Sequence, residues 1–542
     1  MAKGRLTLFS KLLLTLLIVG GIVGGGYYLL NNTEFGKNLK EQSEQDYDDS
    51  SNTANVGEAS TPVPSGSSTP TRVESTGSDD DVLKVQILPW GGFAPGLYYN
   101  NGLKHNPNSQ YFKRHGLKVD FVIMDDFPAA RQAWKVDEIQ VMTNTADGVL
   151  LEYDGIKDYN PEIFLQTDWS RGGDVIIGRR GITSINDLKG KKVAVTPNSP
   201  SLTYLAMALN TANMRLKDIQ IVEAPDNPTA ATIFNSGSVD AAVVWSPSHF
   251  ESLEVVKGSS ILQSTKDAAY ALAGIFYAKQ EYIQAHQDQF QAFYEGWMTA
   301  IAEMRQSEES QARAAQILGE TFDLPTDDAF GMMFDAYLTG HGDNLNYFGL
   351  NRTYRGITGS QLHQSTANLL VTQGIIEPDV PNFRSIITSR MTSRARLSGS
   401  GYEAEASGEF EPPTAEEKVA PAISTKPISI TFPTGSSTLS ANAKTIIDLQ
   451  FADIAKVYAN NRIRVEGNTD NTGSREINMR LSGERAQSVV DYLKGEYGIS
   501  TNRFIIVGNG PDKPVAGCEA NATADCRTRN RRTDFQLISS GE

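Results

Sequence analysis

Cysteine is nearly missing from this 542-residue chain: Cys518 and Cys526 are the two it has. Their scarcity excludes a cysteine-rich metal scaffold or thiol chemistry in most of the chain. Histidine is also sparse, with six scattered residues and no His-Glu-x-x-His pair. There is no Gly-x-x-x-x-Gly-Lys-Ser/Thr phosphate loop, because Leu188-Lys-Gly-Lys-Lys lacks both the glycine spacing and the hydroxyl. Positive charge is in deficit, with 49 Lys and Arg against 64 Asp and Glu, a net −15. A nucleic-acid partner needs a basic face, so nucleic acid is not expected. No catalytic residue, cofactor or metal is assigned, and the chain does not read as an enzyme. No internal repeat is present, and at this length two to four domains are expected.

One long apolar run is there. Lys3, Arg5 and Lys11 precede Leu12–Leu30, which carries no charge. That length suffices to cross a bilayer, and the cationic flank favours a cytoplasmic N-terminus with the bulk of the chain in the periplasm. A single N-terminal transmembrane helix within residues 1–30, set in a bacterial inner membrane, is therefore expected. The competing reading is a cleaved signal peptide, against which stand the length of the run and the lack of a small-x-small site. Gly20, Gly21, Gly24, Gly25 and Gly26 supply small-xxx-small spacings that suit packing on another helix. The span holds no acidic residue to carry a proton.

Residues 31–82 are rich in Ser, Thr, Asn, Asp, Gly and Pro and read as a disordered tether of about 40 Å r.m.s. span. A second linker is expected at 396–425, leaving folded blocks at 83–395 and 426–542.

In the first block, short apolar runs (85–88, 119–123, 175–177, 192–195, 219–222, 241–244) alternate with helical patterns such as 201–211 and 228–236. That alternation predicts α/β architecture with mostly parallel sheets. Beyond about residue 280 the pattern is helical, clearest over 282–305 and 307–322. The runs Ile185-Asn-Asp-Leu-Lys-Gly-Lys-Lys-Val-Ala-Val195 and Gly237-Ser-Val-Asp-Ala-Ala-Val-Val-Trp-Ser-Pro247 resemble the bilobed periplasmic solute-binding proteins of ABC importers, in the nitrate/sulfonate/taurine-like group. The resemblance implies two mostly parallel sheets, with lobe one at 83–175 plus 272–395 and lobe two at 176–271. Ligand would bind between lobes that close on a hinge.

Asn198, Ser199, Ser201 and Thr203 lie at the start of an expected helix, where free N–H groups and the positive dipole end suit an anion. Helix capping by Ser199 or Ser201 is the plainer alternative. Thr145 and Asp147 follow a strand of the other lobe, and Trp90 and Trp245 would wall the pocket from opposite lobes. Asp125-Asp126 reads as a solvated turn. Thiamine-pyrimidine synthases share this scaffold but rely on a Cys-rich motif, which this block lacks.

In the last block the order reads strand, helix, strand, helix, strand, strand, at 428–432, 441–458, 462–466, 474–494, 503–507 and 533–538. Gly467-Asn-Thr-Asp-Asn-Thr-Gly473, then Asn478-Met-Arg-Leu-Ser-Gly-Glu-Arg-Ala486, then Asn530-Arg-Arg532 occur in order. An acid at Asp470 and a base at Arg485 can grip a zwitterion, one accepting from an ammonium and the other forking onto a carboxylate. The three runs resemble the OmpA-like peptidoglycan-binding domain, an α+β fold. The resemblance implies that Thr469, Asp470, Asn478 and Arg485 hold the diaminopimelate of the cell-wall peptide, with Arg531 and Arg532 in support. Asp470 and Arg485 merely pairing with each other is the plainer alternative. Cys518 and Cys526, eight apart with no histidine after His363, suit a small disulfide loop better than a metal site, two free thiols being the alternative.

The sequence thus points to a membrane-anchored periplasmic protein that grips peptidoglycan and captures a small anionic solute for uptake or sensing. A membrane transporter or a stator-like channel protein is a candidate partner. The other class left open is a structural protein whose bilobed domain docks a protein partner.

Overall fold

The computed structural model describes residues 82–406, 410–430, 432–433 and 435–539. The expected membrane span lies outside the described residues, as does the tether up to residue 81. Among the described residues no helix is long and apolar enough to cross a membrane.

Three sheets organise the molecule. The first has six strands in the order Ala336–Leu338, Pro161–Ser170, Ala273–Lys279, Val141–Thr145, Val82–Ile87 and Lys118–Ile123. The second has five, in the order Gln220–Glu223, Lys192–Val195, Ala241–Trp245, Asp174–Gly178 and Ser260–Ser264. Together they make the bilobed α/β part.

The expected mostly parallel sheets are in fact mixed. Parallel pairing is confined to Val82–Ile87 with its two neighbours and to Lys192–Val195 with its two. The pairs made by Pro161–Ser170, Ala273–Lys279 and Asp174–Gly178 are antiparallel. The reason is topological. The chain leaves the first sheet along Pro161–Ser170 and enters the second through Asp174–Gly178. It returns from Ser260–Ser264 to Ala273–Lys279. An outgoing and a returning strand that lie side by side in both sheets must run antiparallel.

The two crossings are tied together as they pass. Thr265 Oγ1 accepts from the Gly172 and Asp174 backbone N–H groups at 2.9 and 3.2 Å, and Thr265 N donates to Asp174 O at 2.9 Å. Gly173 is needed at the outgoing crossing, because a Cβ there would sit 2.3 Å from the Trp90 ring. On the first sheet, Trp297 and Phe293 of the helix Gln287–Gln306 pack edge-on against Phe276. The helical stretch 282–305 is broken at His286, between Gln280–Ala285 and Gln287–Gln306.

The third sheet has the order Ala422–Ile428, Thr533–Ile538, Arg462–Asn468 and Phe504–Gly510. Its first strand lies earlier than the expected 428–432. Pro427 is tolerated because the strand is at the sheet edge, where a missing N–H costs no ladder bond. The helix expected over 441–458 holds a π-helical turn at Asp448–Ala452. The long helix Arg475–Tyr497 lies so close to Arg462–Asn468 that a Cβ on Gly467 would fall 2.1 Å from Ser482 O.

The stretch expected as linker is fastened rather than free. Glu405 carries an ion pair with Arg171, and Arg305 donates to Glu403 O at 2.8 Å. The C-terminal domain rests on lobe two and on the returning crossing. Tyr270 N donates to Val457 O at 3.1 Å, Tyr458 OH to Gln263 at 3.1 Å, and Asn461 to Asp267 at 2.9 Å. Lys426 Nζ reaches Asn210 O at 2.6 Å.

Candidate functional site

Two hollows bring together part of the set singled out in the sequence: Arg485, Arg531 and Arg532 line one, and Trp90, Thr145 and Trp245 line the other. In the C-terminal domain, the strand Arg462–Asn468 delivers Thr469 and Asp470 to the turn before the helix Arg475–Tyr497, which carries Asn478 and Arg485. Ser474 caps that helix by accepting from Ile477 N. A hollow of about 170 Å³ opens here, lined by Phe432, Asn468, Arg485, Arg531, Arg532 and neighbours.

Asp470 Oδ2 accepts from Arg531 at 2.6 Å and Oδ1 from Thr472 N at 2.9 Å. Burial pushes this carboxyl up, but the bonds from Arg531 and Thr472 outweigh it and hold it below the usual range. Asp470 therefore pairs with Arg531 rather than with Arg485. Arg485 is held by backbone carbonyls, donating to Ser436 O at 3.1 Å, with its guanidinium 4.9 Å from the Phe432 ring centre. Asn478 donates to Asp470 O at 3.3 Å and Thr472 O at 3.1 Å, bracing the acidic turn. Thr469 N donates to Gly510 O at 2.8 Å, and its buried hydroxyl has no partner. Arg532 is tied to Asp534 at 2.9 Å. Three guanidinium groups thus border the hollow, Arg531 paired with Asp470 behind it and Arg532 with Asp534, while Arg485 has no carboxylate bonded to it among the described residues and is the group open to a ligand carboxylate.

Cys518 and Cys526 are joined in a disulfide. The loop it closes clasps Asn530, fully buried, whose side chain bonds Val515 N at 2.7 Å and Cys518 O at 3.0 Å. The bridge thereby sets the backbone that leads into Arg531. Asn530, Ser436 and Phe432 escaped sequence reasoning as site-builders; the run Phe432-Pro-Thr-Gly-Ser436 was the one signal for the latter two.

Between the lobes lies a cavity of about 90 Å³, walled by Trp90, Phe93 and Phe127 on one side and by Trp245 and Pro200 on the other. Thr145 lines it and caps the helix Ala146–Ile156 by accepting from Gly148 N at 3.3 Å. The helix start at 198–203 contributes less than expected. Asn198 is exposed with φ 51°, and the Ser199 hydroxyl donates to Thr196 O at 2.7 Å. Ser201 and Thr203 are fully buried, their hydroxyls without partners. Asp126 is a helix cap, accepting from Ala129 N at 2.9 Å.

The sequence reasoning missed the acids. Asp168 and Asp174 line the cavity, which no Lys or Arg does among the described residues. Asp168 accepts from Trp90 Nε1 at 3.1 Å and from Thr167 at 2.7 Å; burial nonetheless pushes it up to about 6. Asp174 accepts from Ser170 at 2.7 Å. Burial pushes it up to about 7, with Asp147, Asp168 and Asp335 adding to the rise. Asp147 is 3 % exposed, and neither carboxylate oxygen has a hydrogen-bond partner. Asp335 receives the Ser246 hydroxyl across the lobes, and burial raises its pKa too. The charge of this cleft is the reverse of what an anion requires. Asp168 and Asp174 sit on the outgoing crossing, Asp147 in the helix Ala146–Ile156 and Asp335 after the helix Thr326–Phe334, so these acids offered no periodic signal.

Residues 431–531 match the OmpA family and residues 106–310 match a family described as NMT1/THI5 like. The chain therefore carries an NMT1/THI5-like domain followed by an OmpA domain. Over 86 residues it is 42% identical to the outer membrane porin F of Pseudomonas aeruginosa, covering 16% of this chain and 24% of that protein. Over 112 residues it is 38% identical to the peptidoglycan-associated lipoprotein of Rhizobium meliloti, covering 21% of this chain and 61% of that one. The probable lipoprotein YiaD of Escherichia coli is 38% identical over 112 residues, covering 20% and 48%. The chain thus spans only 24% to 61% of the length of these relatives. Among solved structures, the periplasmic aliphatic sulphonate binding protein SsuA from Escherichia coli aligns at 19% identity and TM-score 0.45, over 58% of this chain and 100% of that one. The alkanesulfonate-binding protein SsuA from Xanthomonas axonopodis pv. citri bound to MOPS aligns at 16% and 0.44, over 57% and 99%.

Proposed function

We propose that this chain is a periplasmic envelope protein that grips peptidoglycan through its C-terminal domain and captures a small solute between its two lobes. The observation that carries the reading is the hollow lined by Arg485 and Arg531, with Asp470 bonded to Arg531 at its edge and within electrostatic reach of Arg485. Diaminopimelate ends in an ammonium and a carboxylate on one carbon, and a site with one acid and several guanidinium groups is complementary to both. Thr469 and Asn478 brace the turn, while Arg531 and Arg532 border the carboxylate side. The peptidoglycan-associated relative supports the same ligand class. The 12–30 run would tether the chain to the inner membrane, confining both binding modules to the space between bilayer and wall. A transporter or a stator-like channel protein is the membrane partner that placement suits.

The anionic solute expected from the sequence is not carried into this reading, because carboxylates line the cleft. Pull-down with isolated peptidoglycan is the test. Asp470→Ala and Arg485→Ala should each abolish retention; retention equal to wild type in both variants rejects the wall-binding site. A second reading, a scaffold that docks a protein partner, is favoured by one observation. Glu405 and Val457 bind the two crossings between the lobes, an attachment that resists hinge motion.

A further inference from the structure

The cavity between the lobes joins two kinds of wall. Trp90, Phe93 and Trp245 present aromatic surface, whereas Asp168 and Asp174 present carboxylates that are 2 % and 6 % exposed. Aromatic faces and buried carboxylates have one occupant in common, an organic cation. The ring quadrupole attracts positive charge, and a desolvated carboxylate without a counter-ion is costly. A bare metal ion fits the site less well, since it needs several oxygens converging on one point. Among the described residues no three His, Cys, Asp or Glu side chains are placed to hold one.

A second observation points the same way. Asp147 opens the helix that begins directly after Thr145 of the cavity wall, and it lies within electrostatic reach of Asp174. It is 3 % exposed, and both its oxygens lack a hydrogen-bond partner. Thr203, from the opposite lobe, and Thr145 approach the Asp147 carboxyl closely enough to offset part of the rise that burial causes. Asp147 is thus a further buried acid set behind the cavity wall, close enough to act on Asp174.

Resting on the solute-capture reading above, we propose that the cleft takes a small organic ammonium ion, its charge against Asp168 and Asp174 and its carbon body between Trp90 and Trp245. Asp147 and Asp335 add long-range attraction, and Lys266 acts on Asp335 from outside the cavity. Among the described residues no Lys or Arg lines the cavity to receive a sulfonate or nitrate instead.

Calorimetry on the purified full chain at pH 7.5 tests this with propylammonium, choline and ethanesulfonate as probes. The expected result is binding of propylammonium or choline, no heat with ethanesulfonate, and a loss of about tenfold or more in Asp174→Asn and Asp168→Asn. At pH 6.5 the ammonium probe should also release protons, read as a dependence of the heat on buffer ionisation enthalpy. A circular-dichroism spectrum equal to wild type in the two Asn variants shows that their lobes are folded. Binding of ethanesulfonate without either ammonium overturns the proposal and leaves solute capture standing. Binding of none of the three overturns both. Full ammonium affinity in both Asn variants removes these carboxylates from the site.

Discussion

Arg171 and Glu405 form a two-pronged ion pair across the outgoing crossing between the lobes, with Nη2 to Oε2 at 2.7 Å. Tyr270, on the returning crossing, donates to the same carboxylate at 3.0 Å. A single glutamate from the segment after lobe one thus holds both halves of the hinge. The solute module and the wall module are mechanically joined at the place where closure would occur.

Removing that glutamate should free the hinge. In Glu405→Gln, amide exchange at 171–173 and 265–272 is expected to accelerate on the order of tenfold, with the lobes' central strands unchanged. Exchange rates equal to wild type at both crossings would show that the pair does not restrain them.

The disulfide supports the wall site through Asn530. An eight-residue loop closure contributes about 2–3 kcal/mol by restricting the unfolded chain. Cys518→Ser/Cys526→Ser should lose about that much in denaturant unfolding and weaken peptidoglycan retention, because Arg531 loses its fixed backbone.

Ligand-free stability should fall as pH rises through the cleft acids. Asp168 and Asp174 have folded pKa values near 6 and 7, above the ordinary carboxylate range. Between about pH 4 and 7 the folded state holds more protons than the unfolded, so each step up in pH costs stability. Thermal melts should drop on the order of 5 °C from pH 5 to 7.5, and Asp174→Asn should flatten the slope. A wild-type curve as flat as the variant's would contradict the burial of these acids.

Lys426 gives the opposite slope at alkaline pH. Burial against lobe two lowers its pKa from 10.5 to about 8. From pH 8 to 10.5 the unfolded state binds the extra proton, so stability rises with pH over that window, by at most about 3 kcal/mol. Lys426→Met should lose this rise while preserving the fold, and paired urea titrations at pH 8 and 10 would read the difference.

What the sequence reveals follows from what is local. The strand–turn–helix around Asp470 is legible because the turn residues and the Asn478 and Arg485 spacing sit within twenty residues on one unit. The buried strands at 192–195 and 241–244 are legible as short apolar runs. Pro161–Ser170 and Ala273–Lys279 were missed because residues such as Asp168, Ser170 and Gly274, which face the cleft rather than a core, interrupt their apolar runs. Asp168 and Asp174 lie six residues apart on the one outgoing crossing, but the tryptophans that share their cavity, Trp90 and Trp245, come from distant segments, and no local spacing encodes that meeting. The pairing of Asp470 with Arg531 likewise joins residues 61 apart, set by the antiparallel return of Thr533–Ile538 beside Arg462–Asn468.

The most direct test of wall binding is an NMR titration of the purified protein with meso-diaminopimelate. The account predicts saturable shifts at Asp470, Asn478, Arg485 and Arg531, with the rest of the C-terminal domain and both lobes still. Saturable shifts located elsewhere, or none at these four residues, would contradict it.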